Sequence, residues 1–388
     1  MVQIKRRVKL HGVYHINYTS WDTEDMPSIN ELTHILTEQT RFKDMKHVGF
    51  VAYSLVFRGV ANGQEFICKC IPQASYQNES MYMNLCFGLV KPANLPQGET
   101  VESCRKTALL SLDDNQWSHS EIACNLDLHS LYVKGKRDLH LSTPVNYLYL
   151  NRIQKQRTCR IVVFITRKCQ NTIDALNFAA CSTWHKKHLA YSIMEGLLNL
   201  HNVRWCHGDI KPSNICVDVV DDPTHGFALD ATIIDYGTAH RDFSSHKLTL
   251  KNTFAFMSPH QAYLYVQPQN NMNIFVHDKL GAEDIIKCND ALSPFFQGFQ
   301  GESNVWNDWF CFCIILFYIF GEQYIFWCQS HITDFDKKTC ITILQHVALY
   351  LQNKSAYVTQ ALAHVKNMPP DMIYLIHKVM VESVIPSF

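Results

Sequence analysis

Cys206-His207-Gly208-Asp209-Ile210-Lys211-Pro212-Ser213-Asn214 and, shortly after it, Ile233-Ile234-Asp235-Tyr236-Gly237 are the stretches whose reading decides this chain. Asp235 lies 21 residues after Asn214. Both segments place polar residues on short loops between apolar strands. They follow Leu189 to His201 (LAYSIMEGLLNLH), whose apolar residues recur at helical spacing. Phosphoryl transfer requires such a set: a carboxylate to accept the attacking hydroxyl's proton, a cation for the phosphate in flight, and hard oxygen ligands for Mg²⁺. Asp209, Lys211, Asn214 and Asp235 supply them in that order. Asp235 two residues before a glycine, taken alone, reads as turn chemistry; the pair of segments together carries the argument.

Composition narrows the class. The 388 residues hold 35 Lys+Arg against 35 Asp+Glu, so the formal charge is zero. That argues against a polybasic nucleic-acid binder and against an acidic disordered chain. With 47% hydrophobic and 18% charged residues, most of the chain should be packed. The 15 cysteines are too sparse for a secreted disulfide scaffold. Cys68/Cys70 and Cys311/Cys313 lack the surrounding grid of a zinc site. The start, MVQIKRRVKL, leads into no apolar signal core. Reduced thiols in the cytoplasm or nucleus are the expectation, and the basic run Lys5 to Lys9 reads as a solvated terminus without clear nucleic-acid binding. Trp309 to Phe320 is an unbroken run of 12 apolar residues. A bilayer span needs about 18–20, so the run predicts a buried core helix and no membrane span.

From His47 to Ile71 apolar and polar residues alternate, with turn residues at Gly59 and Asn62-Gly63, which predicts antiparallel strands joined by a tight hairpin. Residues 145–150 and 159–166 read as further strands, and 118–130 as helix. Residues 72–117 and 262–303 are punctuated by Pro, Gly, Asn and Gln and read as irregular inserts. Strands precede helices, so an α+β chain in two lobes is expected: an extension over 1–44, a first lobe over 45–166 and a second over 167–388.

The two quoted segments resemble the catalytic loop and the metal-binding motif of eukaryotic protein kinases, H-R-D-x-K-x-x-N and D-F-G. The resemblance extends over roughly residues 45–330. Phe66-Ile67-Cys68-Lys69 stands at the V-A-I-K position, and Gly49, Val51, Ser54 and Val56 at those of G-x-G-x-x-G-x-V. Phe256-Met257-Ser258-Pro259-His260 stands at the A-P-E position, and Asp308 opens the apolar run as an aspartate opens the buried helix of these enzymes. H-G-D and D-Y-G are similar to the vaccinia-related kinase and casein kinase I group, and the long inserts suggest a divergent, viral member acting in a host cell.

The resemblance implies a bilobal protein-kinase fold: an antiparallel sheet plus helix C, then a mainly helical lobe. It implies a serine/threonine kinase using ATP and Mg²⁺ on a protein substrate, the Ser258-Pro259-His260 segment falling where peptides dock. Asp209 would orient the substrate hydroxyl and Lys211 contact the γ-phosphate. Asn214 and Asp235 would bind Mg²⁺. Lys69 would hold the α/β-phosphates with Glu121, or failing it Glu102, as partner. Gly49 belongs to the phosphate loop, Val56 would cover the adenine, and Phe164 would close the back of its pocket.

Three departures qualify this. Only Gly49 remains of the phosphate-loop glycines, so weak ATP binding is expected, or a plain hairpin that never cradles phosphate. Gly208 replaces the arginine that pairs with a phosphorylated activation loop, so activity should not depend on such phosphorylation. His260 replaces the A-P-E glutamate and removes an ion-pair partner. A pseudokinase serving as a binding or scaffold module is the competing reading, although a scaffold has no chemical need for Lys69, Asp209, Lys211, Asn214 and Asp235 together.

Overall fold

The computed structural model of the chain describes residues 4–10, 13–18, 28–40, 42–51, 54–72, 120–136, 138–154, 157–241, 256–266, 280, 282–297, 304–321 and 337–385. The chain divides into two compact units, Met1–Arg137 with Ser142–Lys168, and Asp138–Leu141 with Cys169–Phe388.

The first unit is built on strands β1 (Ile4–Leu10), β2 (Val13–Tyr18), β3 (Lys43–Val51), β4 (Ser54–Ala61), β5 (Gln64–Pro72), β6 (Asn146–Gln154) and β7 (Arg157–Arg167), with helices α1 (Ile29–Thr40) and α2 (Ser120–Val133). The sheet order is β1-β2-β6-β7-β5-β4-β3. All pairings are antiparallel except β2 with β6. The segment set apart as an N-terminal extension thus supplies two strands and a helix. Asn62 and Gly63 both take positive φ, 52° and 76°. Glycine adopts that region freely and asparagine tolerates it, so the dipeptide makes the predicted two-residue turn.

Strand alternation sorts the side chains. Leu55, Phe57, Cys68, Cys70, Leu148, Leu150, Ile161 and Val163 pack on one face with Leu32, Ile35 and Leu36 of α1. Ile71, Tyr149, Val162 and Phe164 pack with Ile122 of α2 in a separate cluster. Ser28 and Glu31 start α1 as a reciprocal cap: the Ser28 N–H donates to Glu31 Oε2 (2.6 Å) and the Glu31 N–H to Ser28 Oγ (3.2 Å).

The second unit holds α3 (Thr183–Asn202), the strands β8 (Asn171–Thr172), β9 (Ile215–Asp222) and β10 (Gly226–Ile233), and then α4 (Pro259–Val266), α5 (Ala282–Phe296), α6 (Asn304–Gly321), α7 (Lys337–Gln352), α8 (Lys354–Ala363) and α9 (Pro370–Ile376). Its small sheet runs β10-β9-β8. The outer edge of β10 is closed by histidines rather than by another strand. His185 Nε2 bonds the Phe227 carbonyl (3.1 Å), His188 Nδ1 that of Leu229 (3.1 Å), and His140 Nδ1 that of Ala231 (3.0 Å). Every second carbonyl of the edge therefore has a donor, which blunts it as a template for another strand.

Helix α6 contains the apolar run and begins five residues before it. It is long and apolar enough to span a bilayer by composition, yet nearly all of its side chains are buried in the protein interior. The stretch 262–303, read as irregular, is corrected in part: the end of α4 and the whole of α5 fall inside it. Ile285 and Leu292, seven residues apart, are the buried stripe of α5; the Asn, Gln and Pro between and beyond obscured that period. Of the first insert, residues 73–117 lie outside the described residues, as does Glu102. The eleven cysteines whose side chains are described are free thiols, eight of them buried.

Candidate active site

The residues singled out in the sequence divide between the two units, and each group is brought together within its own. In the first, register does the work. Gly49 pairs with Val56, Val56 with Lys69, and Lys69 with Phe164. Four of the five expected nucleotide-binding residues of this unit thus form one row across β3, β4, β5 and β7. The fifth, Glu121, comes from α2, and its carboxylate forms an ion pair with Lys69 Nζ.

Glu121 is 1% exposed. Asn125, one turn later, is also buried, which made this helix hard to read. Its Nδ2 donates to the Glu121 carbonyl (2.9 Å), so a polar side chain is satisfied inside the core. Among the described residues, no atom lies within 4 Å of where a Cβ would stand on Gly49. Neither Val51 nor Ser54 takes positive φ; the two pair across β3 and β4 as ordinary strand residues.

In the second unit, Asp209, Lys211 and Asn214 interlock. Asp209 Oδ2 accepts from Lys211 Nζ (2.7 Å) and from Asn214 Nδ2 (3.2 Å), and Nδ2 also donates to the Asp209 carbonyl (2.9 Å). Pro212 opens the short 3₁₀ turn that brings residue 214 back toward 209. The loop also holds the other segment. The Ile234 N–H donates to the Asn214 carbonyl (2.9 Å), and His207 Nε2 bonds the Ile234 carbonyl (2.9 Å) while Nδ1 accepts from the Asp209 N–H (3.2 Å). His207 is fully buried and is a bridge between the two motifs rather than a ligand. Asp235 follows at φ 62°, and the buried Tyr236 hydroxyl donates to the Ile233 carbonyl (3.0 Å).

Beneath the loop lies Asp308 of α6, wholly buried. Its carboxylate accepts from the His207 N–H (2.7 Å), the Gly208 N–H (2.9 Å) and His201 Nε2 (3.0 Å). Burial by itself raises a carboxyl's pKa, but the hydrogen bond and charge of His201, with His207 and the Gly208 N–H, outweigh it and hold Asp308 below the usual carboxylate value. The partnership with His201 was not legible in the sequence, because 107 residues separate the two.

Gly208 has φ +78°, and a Cβ there would stand 2.9 Å from the Thr238 carbonyl oxygen and 3.2 Å from the His240 ring. The backbone itself therefore favours glycine at the position where the resemblance supplies arginine. Gly208→Ala is expected to cost about 1–2 kcal/mol, read as a shift in the denaturant midpoint; an unchanged midpoint would remove this account. Residues 238–241, shortly after Asp235, are tied down without an arginine at position 208. Cys206 and His240 exchange both backbone hydrogen bonds (2.9 and 3.0 Å), Thr238 Oγ1 donates to the His207 carbonyl (2.8 Å), and Arg241 lies over the Trp205 ring (5.0 Å).

At the A-P-E position, Cys311 Sγ donates to the Phe256 carbonyl (2.8 Å), and Ser258 and Gln261 cap α4 reciprocally. His260 is buried and stacks on Phe296, and burial pushes its pKa down to about 4. It is neutral near pH 7, so an aromatic contact stands at the position where the kinase motif has an ion-pairing glutamate.

Among the described residues no cluster of three or more His, Cys, Asp and Glu is arranged to hold a metal. Mg²⁺ does not require one: it takes one or two protein oxygens, with water and phosphate completing the octahedron. Asn214 turns its amide nitrogen to Asp209, leaving the amide oxygen as the atom it can offer a cation. With the Asp235 carboxylate this is a hard oxygen pair of the kind Mg²⁺ accepts, so the residues present fit the ion.

An α+β chain with a largely antiparallel sheet and helix in its N-terminal unit, and a mainly helical C-terminal unit, has the organisation of the bilobal protein-kinase fold. Sequence similarity points the same way and supports a protein-kinase relationship. It is 38% identical over 65 residues to the glycogen synthase kinase-3 homolog YGK3 of Saccharomyces cerevisiae, spanning 17% of this chain and 16% of that protein. It is 27% identical over 128 residues to the serine/threonine-protein kinase SSK22 of the same yeast, spanning 31% of this chain and 9% of that protein. The chain thus covers a small part of the length of these curated relatives. No protein-family model matches it.

Proposed function

We propose that the chain is a serine/threonine protein kinase that transfers the γ-phosphate of Mg-ATP to a hydroxyl of a protein substrate. The observation that carries the reading is the interlocked loop Asp209–Lys211–Asn214, in a chain whose other unit pairs Lys69 with a buried glutamate. In this reading the Asp209 carboxylate orients the acceptor hydroxyl and takes its proton as the new P–O bond forms. Lys211, within 2.7 Å of that carboxylate, supplies positive charge beside the transferring group. Asn214 and Asp235 would hold Mg²⁺, which neutralises phosphate charge when bound. Lys69, kept in place by Glu121, would hold the α/β-phosphates, with Val56 and Phe164 flanking it in the same row for the adenine. Asp308 positions the loop through two backbone N–H groups and touches no substrate.

H-G-D and D-Y-G support placement in the vaccinia-related and casein kinase I group, and we carry a divergent, viral member as part of the proposal. Action in the reducing cytoplasm or nucleus is likewise proposed, on the free thiols. The eroded phosphate loop, with Val51 and Ser54 for glycines, favours the competing reading of a pseudokinase scaffold. Labelled phosphate transfer from Mg-ATP to a generic acceptor protein separates them, with wild type run beside Lys69→Met and Asp209→Asn. The kinase reading expects transfer by wild type alone; equal signals from all three proteins end it. A second expectation follows from the anchors around Cys206, Thr238 and His240, which need no phosphate. Phosphatase treatment of active protein should leave its turnover unchanged, and abolished turnover would show that the segment depends on phosphorylation after all.

A further inference from the structure

Ser54 stands at a position where a kinase phosphate loop has glycine, and its side chain has an unusual environment. The residue is 0% exposed, and its Oγ has no hydrogen-bond partner among the described residues. A buried hydroxyl without a partner is costly, and native chains keep few of them. Its place in the sheet says what it faces. Along β4, Leu55 and Phe57 enter the cluster with α1, so Ser54 and Val56 alternate to the other face. That is the face of Lys69, which pairs with Val56 and reaches Glu121.

Register continues the placement. Leu55 pairs with Cys70, so Ser54 stands beside Ile71, which packs against Ile122, the residue after Glu121. Glu121 Oε2 is a second buried oxygen of this unit without a hydrogen-bond partner among the described residues. One sheet face thus presents a cation held by a carboxylate and, one pair further along, an unused hydroxyl.

We propose that the Ser54 hydroxyl is a phosphate-binding group, donating a hydrogen bond to a non-bridging oxygen of the nucleotide whose phosphates Lys69 receives. The inference deepens the kinase reading and rests on it. Lys69 brings charge without direction, whereas a hydroxyl brings a directed donor, and a hydrogen bond to an anionic oxygen is stronger than one to a neutral acceptor. The loop that lost a glycine would by this account have gained a side-chain donor at the same position.

The full-length chain and its Ser54→Ala variant, each titrated calorimetrically with adenosine, ADP and ATP, test this directly, with ligand-free melting recorded for both. Ser54→Gly serves as a second hydroxyl-free variant. The expected result is a Kd for ADP and ATP raised about tenfold, an unchanged Kd for adenosine, and a ligand-free melting temperature no lower than wild type. Equal ADP and ATP affinities in wild type and variants would overturn the inference and leave the kinase reading standing. A fall in melting temperature with all three ligands weakened alike would also overturn it, marking the hydroxyl as a structural group. A wild-type chain that binds none of the three overturns the kinase reading and this inference with it.

Discussion

On the proposed kinase reading, Asp209→Asn is expected to lower phosphate transfer by about 10²–10⁴-fold, the usual share of a general base, while the chain stays folded. The substitution keeps the shape of the side chain, and its remaining oxygen can still accept from Lys211 or Asn214. What it removes is the negative charge that orients a hydroxyl and receives its proton. It also leaves Lys211 without its counter-charge. The loss should fall on kcat, with KM for ATP little changed, because Val56, Lys69 and Phe164, the residues proposed to hold the nucleotide, lie in a different unit. Steady-state kinetics and circular dichroism of the purified variant read both halves of the expectation. Unaltered kcat in a folded variant would sink the assigned role.

The second large effect is on stability. Asp308→Asn should destabilise the chain by about 3–5 kcal/mol and lower Tm by on the order of 10 °C. Three donors converge on this carboxylate, and two of them are backbone N–H groups that cannot turn away. An amide with its oxygen at the Oδ2 position can still accept from His207 and His201, but its NH₂ then faces the Gly208 N–H, donor against donor. The pH dependence has a definite sign. The folded pKa is held below the unfolded one, so the contribution of Asp308 is complete above the ordinary carboxylate pKa of about 4 and is lost as pH falls through the lower folded value. Acid titration of unfolding free energy should show wild type losing more stability below pH 4 than Asp308→Asn does. Parallel acid limbs for the two proteins would refute the linkage.

Much of the candidate site was legible because its chemistry is local. Asp209, Lys211 and Asn214 lie within six residues, and a 3₁₀ turn suffices to bring them together. The hairpin at Asn62-Gly63 was legible for the same reason, since two residues determine the turn. Glu121 was harder, because the buried Asn125 breaks the apolar period of its helix and only the hydrogen bond to the Glu121 carbonyl makes it tolerable. Helix α5 was missed because polar residues and Pro294 mask a stripe of two buried positions. The joining of β1 and β2 to the sheet through a parallel pairing with β6 spans more than 130 residues, beyond the reach of any local pattern.

The sequence by itself determined which residues the proposed chemistry would use and their order along the chain: the strand lysine, the loop carboxylate, the loop lysine and the two oxygen donors. Short-range geometry dictates these, and residue type supplies the charge. Tertiary structure alone decided how they are held. It set Lys69, Val56 and Phe164 in one row, gave Asp308 its three donors, shaped Gly208 to left-handed backbone, and buried the Ser54 hydroxyl. Register, burial and the partners of polar groups depend on segments far apart in the chain, so they exist only once the chain has folded.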